Sequence, residues 1–229
     1  MDHTPTLKIN EIFHSIQGES THAGRPCVFV RLSGCPLRCT YCDTEYAFRG
    51  GQARSLSEVL EEVLAIDCEL IELTGGEPLA QKAAFILMEK LCEAGRTVLV
   101  ETSNAIDISP CHHDVIRILD FKTPGSGEFD RNRFENLEDL RPHDEVKFVI
   151  VDRRDYDWAK TTIEEYQLAE RCHAVLMSPV FEQAQGTEIA GCTGLDPSTL
   201  AEWIIADRLP VRMQLQMHKF IWHPLTRGV

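Results

Sequence analysis

Positive charge is scarce in this chain. Lys and Arg number 23 against 36 Asp and Glu, a formal charge of −13 over 229 residues. Such a balance makes a poor partner for nucleic acid or an anionic membrane, both of which select basic surfaces. No apolar run approaches the ~18 residues of a membrane-spanning helix. The opening Met1-Asp2-His3-Thr4-Pro5 lacks the basic and apolar blocks of a secretory leader. Internal repeats, low-complexity tracts and linkers are also missing. Nine cysteines are too few for a disulfide scaffold, where Cys exceeds ~8% of residues, and an odd number cannot all pair. Reduced thiols in the cytoplasm are therefore expected. With 43% hydrophobic and 26% charged residues, disorder is excluded, and the length suits one domain over 1–229.

Strand and helix signals alternate. Cys27–Leu32, Leu70–Thr74, Thr97–Val100, Ile116–Leu119, Val146–Ile150 and Ala174–Met177 read as strands, rich in β-branched and aromatic residues. A helix is predicted from Ser55, where Glu58 completes a capping box and Val59, Leu60, Val63 and Leu64 follow at helical spacing. Further helices are predicted over Gln81–Ala94, with Gly95 as its stop, over 156–170 and over 198–207. A last short strand is predicted within 211–216. Alternation of this kind implies right-handed βαβ units and a parallel sheet. Fewer than eight pairs are present, so the expected fold is α/β, a partial (β/α) barrel with a mostly parallel sheet. Working residues should gather beyond the carboxyl ends of its strands.

Six cysteines are scattered, but Cys35, Cys39 and Cys42 fall within eight residues of a loop after the first predicted strand. A lone cysteine is usually a small buried hydrophobe; three in a Gly- and Pro-bearing loop point to metal. Structural zinc requires four closed ligands. Only Cys39 and Cys42 form a Cys-x₂-Cys pair, and the nearest further candidates, Cys111-His112-His113, also read as a polar surface loop. Three thiolates on a four-iron cluster would leave one iron open to a ligand. Downstream, Thr74-Gly75-Gly76-Glu77-Pro78 closes the second predicted strand. Its glycines permit close approach of backbone, and Pro78 stiffens the exit.

The Cys-x₃-Cys-x₂-Cys spacing resembles that of the radical S-adenosylmethionine superfamily, and Gly75-Gly76-Glu77-Pro78 is similar to the superfamily's motif for the methionine amino group. Over nearly the whole chain the resemblance narrows to the 7-carboxy-7-deazaguanine synthase family. It is carried by Asn10–Phe13 and Ser15–Glu19, Arg31, Cys42-Asp43-Thr44, the strand ends Glu101–Ser103 and Asp120–Lys122, and the tail Gln214–Lys219. Asp120 and Phe121 stand where some members have serine-proline, and the chain runs on past Lys219 to Val229.

This resemblance implies a [4Fe–4S] cluster on Cys35, Cys39 and Cys42, and S-adenosylmethionine held by Tyr41, Gly76, Glu77, Ser103, Asp120, Phe121 and Lys122. It implies contacts from Ile16, Gln17, Gly18, Arg31, Thr74 and His218 to 6-carboxy-5,6,7,8-tetrahydropterin, with Mg²⁺ on Thr44. Arg31 would take the substrate carboxylate, a natural bidentate partner, although a surface arginine at a strand end is the plainer reading. Thr44 likewise reads, on its own, as a loop cap. The implied reaction begins with a 5′-deoxyadenosyl radical abstracting hydrogen from C6 of the pterin. Ring contraction and loss of ammonia yield 7-carboxy-7-deazaguanine for queuosine and deazapurine synthesis. A flavodoxin or ferredoxin reductant and a homodimer are implied as well. The alternatives are a glycyl-radical-enzyme activase and, further off, an iron–sulfur electron carrier or zinc-binding module.

Overall fold

The computed structural model describes residues 5–229; the opening residues 1–4, read above for a secretory leader, lie outside the described residues. Among the described residues nine strands form one sheet. They are β1 (Thr6–Ile16), β2 (Pro26–Leu32), β3 (Gln52–Ser55), β4 (Leu70–Gly75), β5 (Thr97–Thr102), β6 (Ile116–Phe121), β7 (Glu145–Ile150), β8 (Ala174–Pro179) and β9 (Arg212–Met213). Their order is β3-β1-β2-β4-β5-β6-β7-β8-β9, and the edge strands β3 and β9 do not pair, so the barrel stays open. From β2 to β9 every pairing is parallel. The helices are α1 (Leu56–Ala65), α2 (Lys82–Glu93), α3 (Arg153–Glu165), α4 (Leu168–Arg171), α5 (Pro197–Asp207) and α6 (His218–Ile221).

Local chemistry explains the boundaries. The Ser55 hydroxyl accepts the Glu58 N–H at 3.3 Å while the Glu58 carboxylate accepts the Ser55 N–H at 2.9 Å, closing the expected capping box at α1. Gly95, at φ +78°, ends α2 as expected. Three expectations need correction. The helix foreseen over 156–170 breaks into α3 and α4 because Gln167 turns left-handed at φ +53°. The strand foreseen within 211–216 shrinks to two residues. The third is an omission: no strand is foreseen over Thr6–Ile16, yet β1 lies there and runs antiparallel to both β2 and β3.

The two faces of the sheet differ in composition. Val28, Val30, Leu32, Ile71, Leu73, Val98, Val100, Val146 and Phe148 face the helices and pack on Val59, Val63, Ala84, Leu87, Met88 and Leu91. On the inner face a small apolar floor forms from Cys27, Phe29, Leu70, Leu99 and Ile118. Side chains alternate along a strand, so the next inner positions toward the carboxyl ends are Arg31, Glu72, Glu101 and Asp120. The inner face thus changes from apolar to ionic along the strands, and the ionic end is where the cavity lies.

One helix-facing residue breaks the apolar pattern. Arg117 is wholly buried, and its Nε donates to Asp144 at 3.0 Å. Asp144 also accepts the backbone N–H of Arg117 at 3.1 Å and of Arg141 at 2.7 Å. Removing one partner of such a pair strands a buried charge. Asp144→Ala should therefore lower unfolding free energy by about 3–5 kcal/mol in urea titration; a loss below about 1 kcal/mol would show that the pair is not structurally important.

Candidate active site

A cavity of ≈ 510 Å³ opens at the carboxyl ends of β2, β4, β5, β6 and β7. Cys35, Cys39 and Cys42 all line it. Their loop is tied down on both sides. The Gly76 N–H donates to the Leu32 carbonyl at 3.0 Å and the Glu77 N–H to that of Gly34 at 2.8 Å. A Cβ on Gly76 would overlap the Gly34 carbonyl oxygen, and one on Gly75, at φ +132°, would overlap that of Leu32. The paired glycines thus accommodate the chain's own cysteine loop, a closer contact than the ligand approach read from the motif. On the opposite side, Thr40 N–H reaches the Ser126 carbonyl at 2.9 Å, Arg38 N–H reaches the Glu128 carboxylate at 2.6 Å, and Gly191 N–H reaches the Thr40 carbonyl at 2.9 Å.

Burial pushes all three thiols up to about 11, so they carry protons at neutral pH until a metal displaces them. Among the described residues the trio of potential ligand atoms within 4.8 Å of one another is His112, His113 and Asp114, in a surface turn. At least one pair of the three sulfurs therefore lies more than 4.8 Å apart, wider than the ~3.8 Å that Zn–S bonds of ~2.3 Å around one tetrahedral ion would impose. That spacing suits a multi-iron cluster better than a single zinc.

Beside the cysteines two polar atoms are buried with no protein partner among the described residues, Tyr41 Oη and Asp120 Oδ1. Lys122 Nζ donates to the other Asp120 oxygen at 2.8 Å. Buried polar atoms are normally satisfied, so this wall fits a zwitterionic ligand such as S-adenosylmethionine. Ser103 and Gly76 line the same wall. Glu77 and Phe121 lie differently. The Glu77 carboxylate is fully buried and accepts Thr102 Oγ1–H at 2.9 Å, Ser103 N–H at 2.7 Å and Leu79 N–H at 2.9 Å. Its visible role is to bind the β4 turn to the end of β5. The Phe121 ring belongs to the core, packed on Phe134 and Phe148, so no side-chain contact to the cavity is available to it.

The same cavity brings together Ile16, Gln17, Gly18, Arg31, Thr44, Thr74 and His218, with Thr44 Oγ1 3.7 Å from Cys42 Sγ. Arg31 Nε donates to Glu11 at 2.8 Å, and Tyr46 Oη donates to the same carboxylate at 2.8 Å. Gln17 Nε2 donates to the buried Glu72. Gly18 lacks a Cβ that would collide with the His218 ring, and its carbonyl accepts the Met217 N–H at 3.0 Å. Lys219 pairs with Asp43 at 2.7 Å, which, despite burial, holds that carboxyl well below its usual range. The chain then folds back: Pro224 to Val229 line the cavity mouth, with the Arg227 guanidinium 4.0 Å above the Tyr46 ring.

One ionic group escaped the reading of the sequence. Lys147 Nζ lies 2.6 Å from Glu19 and 2.5 Å from Glu101 in the cavity floor, with Glu72 nearby. Burial opposes the Lys147 charge, but Glu101 and Glu19 outweigh it and hold its pKa well above the ordinary lysine value. Burial, reinforced by Glu101 and Glu19, raises Glu72 well above the carboxylate range. Lys147 lies in the run Val146–Ile150, where only the parallel register opposite Asp120 shows that it faces inward.

The radical SAM superfamily pattern matches residues 29–120, from β2 to β6. The 7-carboxy-7-deazaguanine synthase of Koribacter versatilis is 46% identical over 226 residues, covering 97% of this chain and 100% of that protein. The chain belongs to the 7-carboxy-7-deazaguanine synthase family. The Chlorobaculum tepidum synthase is 43% identical and covers 97% of each chain. The crystal structure of QueE from Escherichia coli shares the fold, with a TM-score of 0.73 at 22% identity over 93% of this chain and 95% of that one. Membership of this family implies a [4Fe–4S] cluster and S-adenosylmethionine, and the cavity has the thiols and unpaired polar atoms to receive them. Among the described residues, no helix is long and apolar enough to cross a membrane. Because Gly76 touches the cysteine loop, Gly76→Ala should displace it. Reconstituted variant protein is expected to hold less than half the wild-type iron while keeping a cooperative thermal transition; full iron content would refute the clamp.

Proposed function

We propose that the protein converts 6-carboxy-5,6,7,8-tetrahydropterin to 7-carboxy-7-deazaguanine, with ring contraction and loss of ammonia, in queuosine and deazapurine biosynthesis. The observation that carries this reading is one cavity lined both by three cysteines and by Arg31, Gln17 and His218. When bound, the cluster and S-adenosylmethionine supply a 5′-deoxyadenosyl radical. The protein's part is to hold the reacting carbon near the source of that radical and to keep water away. Tyr41, Asp120, Lys122 and Ser103 would hold the cofactor, together with backbone at Gly76, Glu77 and Phe121. Arg31 offers its two terminal nitrogens, which have no protein partner among the described residues, to the substrate carboxylate. Gln17, Gly18, Ile16, Thr74 and His218 would shape the pterin pocket.

Mg²⁺ is proposed at Thr44 Oγ1, completed by the substrate carboxylate and water, because one hydroxyl is a poor magnesium site alone. There it would orient the carboxylate and ease the rearrangement. A flavodoxin or ferredoxin is the proposed electron donor, a homodimer the proposed assembly, and 1–229 the proposed single radical S-adenosylmethionine domain. Cytoplasmic location is supported by nine free thiols. The tail across the mouth favours a small molecule over the polypeptide loop that an activase must admit.

Anaerobic reconstitution with iron and sulfide, reduction, and addition of S-adenosylmethionine with and without the pterin tests the reaction. Carboxydeazaguanine should form only in the complete mixture, and Cys39→Ala should form neither it nor 5′-deoxyadenosine. Deoxyadenosine without carboxydeazaguanine in the wild type would point to another radical reaction. Arg31→Ala should keep its cluster and raise KM for the pterin by about ten- to a hundredfold, the ~1.5–3 kcal/mol of a charged hydrogen bond. An unchanged KM would refute its pairing with the carboxylate.

A further inference from the structure

The cavity floor holds more acceptors than the carboxylate of such a substrate calls for. Glu19 and Glu101 both contact Lys147, and Lys147 is the one cation within hydrogen-bond distance of either among the described residues. Glu19's other oxygen accepts Gln216 Nε2–H at 3.0 Å. Glu101's other oxygen meets no protein donor among the described residues, and its side chain remains 24% exposed to the cavity. Asp120 is paired with Lys122, and burial raises Glu72 well above the usual carboxylate range. Two carboxylates thus share one ammonium, leaving an anionic, acceptor-rich patch.

Arg31 belongs to β2 and Glu101 to β5, two strands along the sheet. At ~4.8 Å per strand that is about 10 Å, on the scale of the long axis of a bicyclic heterocycle carrying a carboxylate. The cavity therefore presents a cation at one end and paired acceptors at the other. A pterin acid has the opposite polarity: an anion at C6 and, at its far edge, N–H donors on N3 and the 2-amino group.

We infer that Lys147 is a positioning residue for substrate selection, holding Glu19 and Glu101 side by side as acceptors for the aminopyrimidine edge, so that the site chooses an amino group over an oxo group at C2. This inference rests on the pterin reading above. An oxo group there would set a carbonyl oxygen against a carboxylate, leaving two buried acceptors facing each other, which a site built for a donor rejects strongly. Without Lys147 the two carboxylates repel, one takes up a proton, and the resulting carboxyl can donate to an oxo oxygen. The preference then relaxes.

The test compares wild type, Lys147→Met and Lys147→Arg as reconstituted holoenzymes. KM is measured for 6-carboxytetrahydropterin and Ki for its 2-oxo counterpart, the carboxytetrahydrolumazine. Wild type should favour the amino compound by about a thousandfold or more. In Lys147→Met the Ki/KM ratio should fall at least tenfold, and Lys147→Arg should restore most of it. If Lys147→Met weakens both ligands equally, Lys147 is only structural and the inference fails. If that variant loses its cluster or its thermal transition, Glu101→Gln decides: the same fall in ratio supports the inference, and a wild-type ratio overturns it. A wild-type enzyme that does not turn over the pterin would instead sink the pterin reading itself.

Discussion

The contact between the turn after β4 and the loop after β2 constrains everything around it. Two backbone hydrogen bonds, from Gly76 to Leu32 and from Glu77 to Gly34, join these segments so closely that no Cβ fits between them. The cysteine loop is thereby fixed to the parallel core rather than hanging from it. Glu77 extends the same junction sideways by accepting donors from Thr102 and Ser103 on the neighbouring strand. A carboxylate with several donors, fully buried, is a stable anchor. The three strand ends that bound the cofactor wall are thus joined to one another before any ligand arrives.

Alternation along the strands does the rest. The same sheet that packs aliphatic side chains on α1 and α2 turns Arg31, Glu72, Glu101, Asp120 and Lys147 toward the inside. Burying ions without partners is costly, and here each inward lysine has its carboxylates within reach: Lys122 with Asp120, Lys147 with Glu19 and Glu101. The chain's overall negative charge therefore has a counterpart in the cavity floor, while Arg31 at the far wall stands as a local exception.

The parallel core was legible because its strands are short apolar runs, three of them ended by Gly or Ser, and because α1 and α2 carry their own end signals. The cysteine triplet and the glycine turn were legible because each motif is local. β1 was not, since its inward and outward residues, such as Glu11 and His14, alternate too weakly to announce a strand. Tertiary pairing with β2 and β3 stabilises it. Lys147 was hidden for a related reason. A lysine inside Val146–Ile150 acquires its meaning only from partners at Glu19 and Glu101, far away in sequence. Glu77 was legible as a motif residue, yet the role seen in the structure is to brace the scaffold.

The loop between β8 and α5 has a further consequence. Glu188 pairs with Arg38 and Arg49, and the Gly191 amide reaches the Thr40 carbonyl, so residues near 190 complete the cradle begun near residue 35. Lys219 closes it further by pairing with Asp43, the neighbour of Cys42. Contacts of such long sequence separation form late, because the intervening chain must be closed first. During synthesis on the ribosome, the cysteines emerge early and then wait for most of the chain before their surroundings exist. The finished cradle is therefore a property of the whole polypeptide, not of the segment that carries the cysteines.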